Sequence, residues 1–117
     1  MSVYLVNHLR LPGGVPKPEN LDYLERVEAT FEPYGGRWLA LDAPVQVMEG
    51  AWPDSVVLME FPGMTEALSW YHSEAYQAII HLRQDNAVND LLFVEGVAPG
   101  FTSAAWAAGA RTAAGGE

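Results

Sequence analysis

The feature that most narrows the possible folds is a change of hydrophobic period, from two residues to about 3.6 and back, made twice along the chain. Val3 to Arg10 (VYLVNHLR) alternates, with Val3, Leu5, Asn7 and Leu9 on one face and Tyr4, Val6, His8 and Arg10 on the other. That is the pattern of a strand. Leu11 to Pro16 is crowded with proline and glycine and reads as a loop. From Pro18 the helical period takes over. Leu21, Leu24, Val27 (or Glu28) and Phe31 form a stripe, and Glu19, Asp22, Glu25 and Arg26 fill the wet face. Pro18 suits the first helical position, and the early acids suit the positive end of the helix dipole. Pro33 and Tyr34-Gly35-Gly36 close the helix.

The second round repeats this order. Arg37 to Leu41 and Val45 to Glu49 are expected as one long strand interrupted at Asp42-Ala43-Pro44, with a bulge or an edge position at the proline. Ala51-Trp52-Pro53-Asp54 is a turn, and Ser55 to Phe61 (SVVLMEF) is an apolar strand, so the pair reads as a hairpin. After Pro62-Gly63, the residues Met64, Ala67, Leu68 and Tyr71 make a second helical stripe. Ser73 then serves as an N-cap that restarts a helix through Ala75, Tyr76, Ile79 and Leu82, ending near Asp85 to Ala87. Asn89 to Val97 is the last strand. A Glu-Gly-x-x-Pro echo at Glu49 and again at Glu95 is expected to mark the end of each half.

The expected fold class is therefore α+β: a ferredoxin-like βαββαβ protomer, an antiparallel sheet with helices on one face. Its other face would be bare. Only 18% of the 117 residues are charged, against about 25% in an average globular domain. That scarcity fits a face covered by a second copy of the chain, giving a homodimeric α/β barrel. Residues 1–97 form this domain. Residues 98–117 are an Ala/Gly-rich tail in which Thr102 to Ala108 are expected to form a short helix that docks Phe101 and Trp106 in a groove, with Gly115-Gly116 loose.

Six basic residues against fifteen acidic ones give a net charge of −9, which argues against nucleic acid or anionic lipid as the main partner. There is no cysteine, hence no disulfide framework or thiolate site. No run approaches the roughly 20 apolar residues that span a bilayer. The first residues lack the features of a signal peptide, so a soluble, cytoplasmic protein is expected.

A set of residues carries a family resemblance. It runs from Tyr34-Gly35-Gly36-Arg37 through Val45-x-Val47-Met48-Glu49-Gly50 to Glu60-Phe61-Pro62. It continues with Ala67-x-x-Trp70-Tyr71-x-Ser73-x-x-Tyr76-Gln77, Leu82-Arg83 and Val94-Glu95-Gly96. In these the chain resembles the domain of unknown function 1330 family, small proteins of the dimeric α/β-barrel superfamily. The first loop looks longer than usual, Gly63 stands where serine is common, and the tail lies outside the match. The resemblance implies a ferredoxin-like protomer and a homodimer, and no agreed reaction. The wider superfamily includes cofactor-independent monooxygenases, heme-handling enzymes and plain binding proteins, and fold does not settle function.

No phosphate loop, nucleophile elbow or His-Glu-x-x-His run is present. Three residues are candidates for proton transfer or charge stabilisation. His8 is a candidate acid or base for proton transfer, or else a hydrogen-bonded strand histidine. Glu60 is a usable acid or base if it faces the core. Arg83 shares a helix face with Tyr76 and would clamp a carboxylate or stabilise an enolate, or else pair with Glu49, Glu60 or Glu95. Tyr4, Trp70, Tyr71 and Tyr76 are the candidate pocket residues. Trp38 and Trp52 are read first as core or dimer-contact residues. His8, His72 and His81 have no metal-ligand spacing, so neither metal nor cofactor is expected. The leading expectation is an enzyme or accessory enzyme doing proton-transfer chemistry (isomerisation, cyclisation or oxygenation) on a small, mostly apolar molecule. The alternatives are a non-catalytic binding module, recognised by a pocket that neither His8 nor Glu60 reaches, and a scaffold dimer whose pocket is closed by the tail.

Overall fold

Strand β1 (Val3–Arg10) forms as its alternation predicts, and helix α1 (Pro18–Phe31) follows it. Pro18 opens α1, and the Lys17 N–H donates to Asn20 Oδ1 at 2.8 Å, occupying one of the donors at the helix start. Gly35 closes this unit in the left-handed conformation, at φ 75°. Then come β2 (Arg37–Ala40), β3 (Ser55–Phe61), three short helices α2 (Met64–Tyr71), α3 (Glu74–Gln77) and α4 (Ile80–Gln84), and β4 (Val88–Glu95). Helix α5 (Ser103–Ala114) ends the described chain. The computed structural model describes residues 1–115; the looseness expected at Gly116 lies outside them.

The four strands form one antiparallel sheet in the order β2-β3-β1-β4, the ferredoxin-like arrangement. Period two sorts its residues. Val3, Leu5 and Asn7 of β1 stand opposite Phe61, Met59 and Val57 of β3 and are buried under the helices. Tyr4, Val6 and His8 stand opposite Glu60, Leu58 and Val56 on the face no helix covers. The core is an aromatic stack on the covered face. Trp70 lies against Phe61 and Tyr76, with ring centroids 5.3 and 4.1 Å away, and its Nε1–H donates to Thr30 Oγ1 at 3.0 Å.

Four expectations are corrected. The long strand over 37–49 is not formed. Ala40 stands opposite Leu58, so in that register residue 43 would face Ser55, where β3 begins, and 45–49 would have nothing to pair with. Asp42 turns the chain away at φ 53°, and residues 43–54 form an exposed excursion in place of a hairpin turn. The first Glu-Gly echo therefore falls in that excursion, whereas the second directly follows β4. On α1 the buried stripe is Tyr23, Val27, Thr30 and Phe31, with Leu21 and Leu24 left partly exposed; on α2 it is Ala67 and Trp70, with Leu68 exposed.

Ser73 does restart the helix: its Oγ accepts from the Tyr76 N–H at 3.2 Å and donates to the Trp70 carbonyl at 2.7 Å, joining the end of α2 to the start of α3. The restarted helix is itself broken at Ala78–Ile79. The tail is helical, capped by Thr102 Oγ1 accepting from the Ala105 N–H. No residue of α5 is buried, and Trp106 is 66% exposed, so its aromatics do not dock in a groove of their own chain. The projecting helix raises the radius of gyration to 17.5 Å, against about 13 Å for a rounded domain of this length.

Candidate functional site

Helix α1 does not lie flush on the sheet. Between it and the covered face is a cavity of ≈ 210 Å³. Leu5 and Leu9 of β1 and Val57 and Met59 of β3 form its floor, Trp38 and Trp70 form walls, and Leu21 and Leu24 of α1 line it on the other side. This explains why those two leucines escape full burial: they face the cavity and not the core. An apolar cavity of about 150 Å³ is enough to hold a benzene ring, so this one suits a molecule of that scale.

Polar residues also line it, Arg83, Tyr23 and Asn7 among them. Arg83 on α4 is 8% exposed and lines the cavity. Its Nε–H donates to Tyr76 Oη at 3.2 Å, and Tyr76 Oη is 2.8 Å from Tyr23 Oη. Tyr76 accepts from the arginine, so its own proton is free to go to Tyr23. When Tyr76 donates to Tyr23, the Tyr23 hydroxyl proton is left for the cavity that Tyr23 lines. Burial, reinforced by the neighbouring Tyr76 phenol, raises the Tyr23 pKa well above 10, so Tyr23 is a neutral donor and not a base. Burial works against the Arg83 charge, but the Tyr76 and Tyr23 phenols outweigh it and the pKa is raised. The expected carboxylate partner for Arg83 is not found. Among the described residues the ion pairs are Arg10–Asp90 and Arg37–Glu60.

Asn7, 2% exposed, is the third. Its Nδ2 donates to Asn89 Oδ1 at 2.9 Å, and Asn89 Nδ2 donates to the Ala87 carbonyl at 3.2 Å. Asn7 Oδ1 is buried with no partner.

The cavity thus gathers Trp70 and Arg83 from the candidates, with Tyr76 directly behind. Tyr71 sits beside Trp70 and lines a second, more open and more polar cleft with Arg83, Gln84 and Asn89. His8, Glu60 and Tyr4 are not in it. All three lie on the uncovered face, because even-numbered residues of β1 and β3 point away from the helices. His8 stacks on Trp52 with centroids 4.2 Å apart, its Nε2 lies 2.7 Å from the Pro53 carbonyl, and Arg10 Nη1 reaches its Nδ1 at 2.7 Å. Glu60 accepts from Arg37 Nε at 2.6 Å. Hydrogen bonds from Ser2 and Arg37, with Tyr4 adding, hold its carboxyl below the usual glutamate range. A core-facing, raised-pKa Glu60 is therefore corrected to an ion-paired surface carboxylate. No three His, Asp or Glu side chains converge as a metal site would require among the described residues.

Sequence reasoning missed Tyr23 and Asn7. The signal for Tyr23 was present, since Tyr23, Val27, Thr30 and Phe31 recur at helical intervals. For Asn7 the only sign was its place among Val3, Leu5 and Leu9 on the apolar face.

A ferredoxin-like sheet with one helix-covered and one bare face, and a cavity between sheet and helices, defines the protomer fold of the dimeric α/β-barrel proteins. Solved structures agree. The RPA0582 protein of unknown function from Rhodopseudomonas palustris superposes with a TM-score of 0.65 at 18% identity, covering 84% of each chain, and its methylated form with 0.63 at 18%, covering 86% of this chain and 84% of that one. SnoaB, a cofactor-independent oxygenase from Streptomyces nogalater, gives 0.55 at 9% identity, covering 86% of this chain and 98% of that one. The chain belongs to the domain of unknown function family DUF1330, whose family model matches residues 2–97. No curated protein matches it. No helix among the described residues is long and apolar enough to cross a membrane.

Proposed function

We propose that the protein binds a small, mostly apolar organic anion, such as a carboxylate, enolate or phenolate of about one-ring size, in the cavity between α1 and the sheet. The observation that carries this is Arg83, a buried guanidinium with no carboxylate in ion-pair contact among the described residues. A buried charge is costly unless paired, and an anionic ligand would supply the missing partner. Arg83 and the Tyr23 hydroxyl would bind its oxygen, and Trp38, Trp70 and the leucines would hold its apolar body. Phenylacetate tests this against phenethyl alcohol, its neutral counterpart, by calorimetry or by quenching of tryptophan fluorescence. Phenylacetate should bind more tightly. Arg83→Met should weaken it about 10- to 150-fold, the worth of a charge-assisted hydrogen bond. Equal affinity in Arg83→Met would sink the proposal.

A second reading is that the anion is an enolate formed in place. Asp42 and Asp54 at the cavity edge favour it. Both carboxylates line the cavity and both have left-handed backbones, at φ 53° and 68°, a conformation uncommon outside glycine that clusters at functional sites. One of them would take a proton from the carbon beside a carbonyl. The electron pair would move onto the carbonyl oxygen, where Arg83 and Tyr23 would stabilise it. SnoaB is an oxygenase that needs no cofactor, and such chemistry on this fold fits the reading. Hydrogen exchange of phenylacetone in D2O, followed by NMR, tests it. Exchange no faster than in buffer would remove it.

For the uncovered face the proposed partner is a second copy of the chain. Leu92, Val94 and Leu39 are exposed there without a helix to cover them.

A further inference from the structure

We infer that the bound molecule is a branched acid: its apolar ring lies in the cavity, its carboxylate meets Arg83, and an amide branch beside the carboxylate lies in the cleft of Tyr71 and Gln84. This rests on the anion-binding reading above. It adds a second subsite and narrows the ligand to a class, the aryl acids acylated on nitrogen beside the carboxylate.

Arg83 and Leu91 line both the cavity and the cleft, so the two spaces adjoin at those side chains. Their chemistry differs. Leucines and tryptophans wall the cavity, whereas Tyr71, Gln84 and Asn89 share the cleft with Arg83. The Arg83 Nε–H is spent on Tyr76. Its Nη1 and Nη2 make no hydrogen bond among the described residues, and they are not sealed in: the buried side-chain atom without a partner there is Asn7 Oδ1. The open end of the guanidinium fork therefore stands where cavity and cleft meet, ready for a carboxylate. In a chain of net charge −9, no carboxylate lines the cleft among the described residues, so nothing there repels an anion.

The cleft has more to offer than charge. Asn89 is spent on Asn7 and Ala87, but the Tyr71 hydroxyl and the Gln84 amide make no hydrogen bond among the described residues. Gln84 is exposed, and the half-buried Tyr71 hydroxyl is likewise not sealed from solvent. A phenol donates or accepts and a primary amide does both, which matches the N–H and C=O of an amide branch. A few such polar ends beside an apolar pocket are what orient a ligand. Ring, carboxylate and branch would then be held at three separate places around one carbon, and that fixes its hand. The mirror image, with ring and carboxylate seated, points its branch away from the cleft.

Probes that share one ring separate the requirements: the two hands of N-acetylphenylalanine (anion and branch), 3-phenylpropanoate (anion only) and N-acetylphenylalaninamide (branch without charge). Calorimetry on the full chain should rank one hand about 3- to 30-fold tighter than its mirror image and than 3-phenylpropanoate, the worth of one or two neutral hydrogen bonds. All the acids should exceed the neutral amide. In the double variant Tyr71→Phe/Gln84→Met, which removes both polar ends at similar volume, the preferences for branch and hand should vanish. The acids should still exceed the amide there, because Arg83 is intact. Acids that bind alike in the native protein, whatever their branch or hand, with all above the amide, would overturn the second subsite and leave anion binding standing. So would a preference for one hand that survives the double variant. A neutral amide that binds as well as the acids, or failure of every probe to bind, would overturn anion binding and the branched class with it. The comparison of hands needs no variant, so a misfolded double variant does not remove the test.

Discussion

Arg37 and Arg83 carry the same group on opposite sides of the sheet, in opposite surroundings. On the uncovered face Arg37 meets Glu60, Arg10 meets Asp90, and His8 is held between Arg10 and the Pro53 carbonyl. Under the helices Arg83 meets phenols, and Asn7 keeps an oxygen with no partner. Exposed ion pairs contribute little and are easily solvated, so an unpaired charge there would carry little information. Inside an apolar cavity the same lack of a partner is costly, and it persists only where something else offsets it. The difference shows that the informative polar groups are those the protein leaves unsatisfied, and here they lie under the helices.

Stability should divide along the same line. Trp70→Ala removes the centre of the aromatic stack and the hydrogen bond to Thr30, and should cost about 3–5 kcal/mol in urea unfolding. Trp52→Ala, which loses stacking on His8 at the exposed edge, should cost under about 1 kcal/mol. Similar losses for the two would mean the faces are not as unequal as their packing implies.

Next in size is the association expected of the bare face. Val94→Asp should convert a dimer to monomer mass in light scattering while keeping the circular dichroism of the native fold. A native protein already at monomer mass would break the comparison at that point. Arg83→Met, by contrast, takes the donor from the buried Tyr76 hydroxyl and should cost the unliganded protein about 1–2 kcal/mol. A loss of several kcal/mol would show that Arg83 is structural.

The smallest effects belong to the residues that the sequence first proposed as catalytic. His8→Ala and Glu60→Gln should change phenylacetate affinity less than about twofold, since neither reaches the cavity and exposed pairs are weak. Glu60 should instead register in acid. Its folded pKa is lowered, so its ion pair stabilises the fold fully above the ordinary glutamate value of about 4.3, and that contribution fades as pH falls through the lowered value. Melting temperature against pH should therefore decline less steeply below pH 4 in Glu60→Gln than in the native chain. Identical slopes would remove Glu60 from acid stability.

Much of this was legible in the sequence. The two periods fixed which segments are strands and helices, because backbone geometry requires side chains to repeat every two or about 3.6 residues. The Ser73 restart was readable because one hydroxyl can serve one helix end and the next start. The faces were harder. Alternation separates Leu5 and Asn7 from Tyr4 and His8, but it does not say which set the helices cover. Glu60 follows the even-numbered set, so one decision placed His8, Glu60 and Tyr4 together away from the cavity. The end of β2 was also hidden, since Val45 to Glu49 reads as strand until the register with β3 leaves it nothing to pair with.

By itself, then, the sequence determined the order of strands and helices and the family. Only the tertiary structure decided that, among the described residues, Arg83 has no carboxylate in contact, that Tyr23 and Tyr76 join it in a hydrogen-bonded chain beside the cavity, and that Asn7 Oδ1 is buried without a partner. The reason is physical: periodicity is a property of neighbours along the chain, whereas the pairing of a buried charge depends on groups brought together from distant segments.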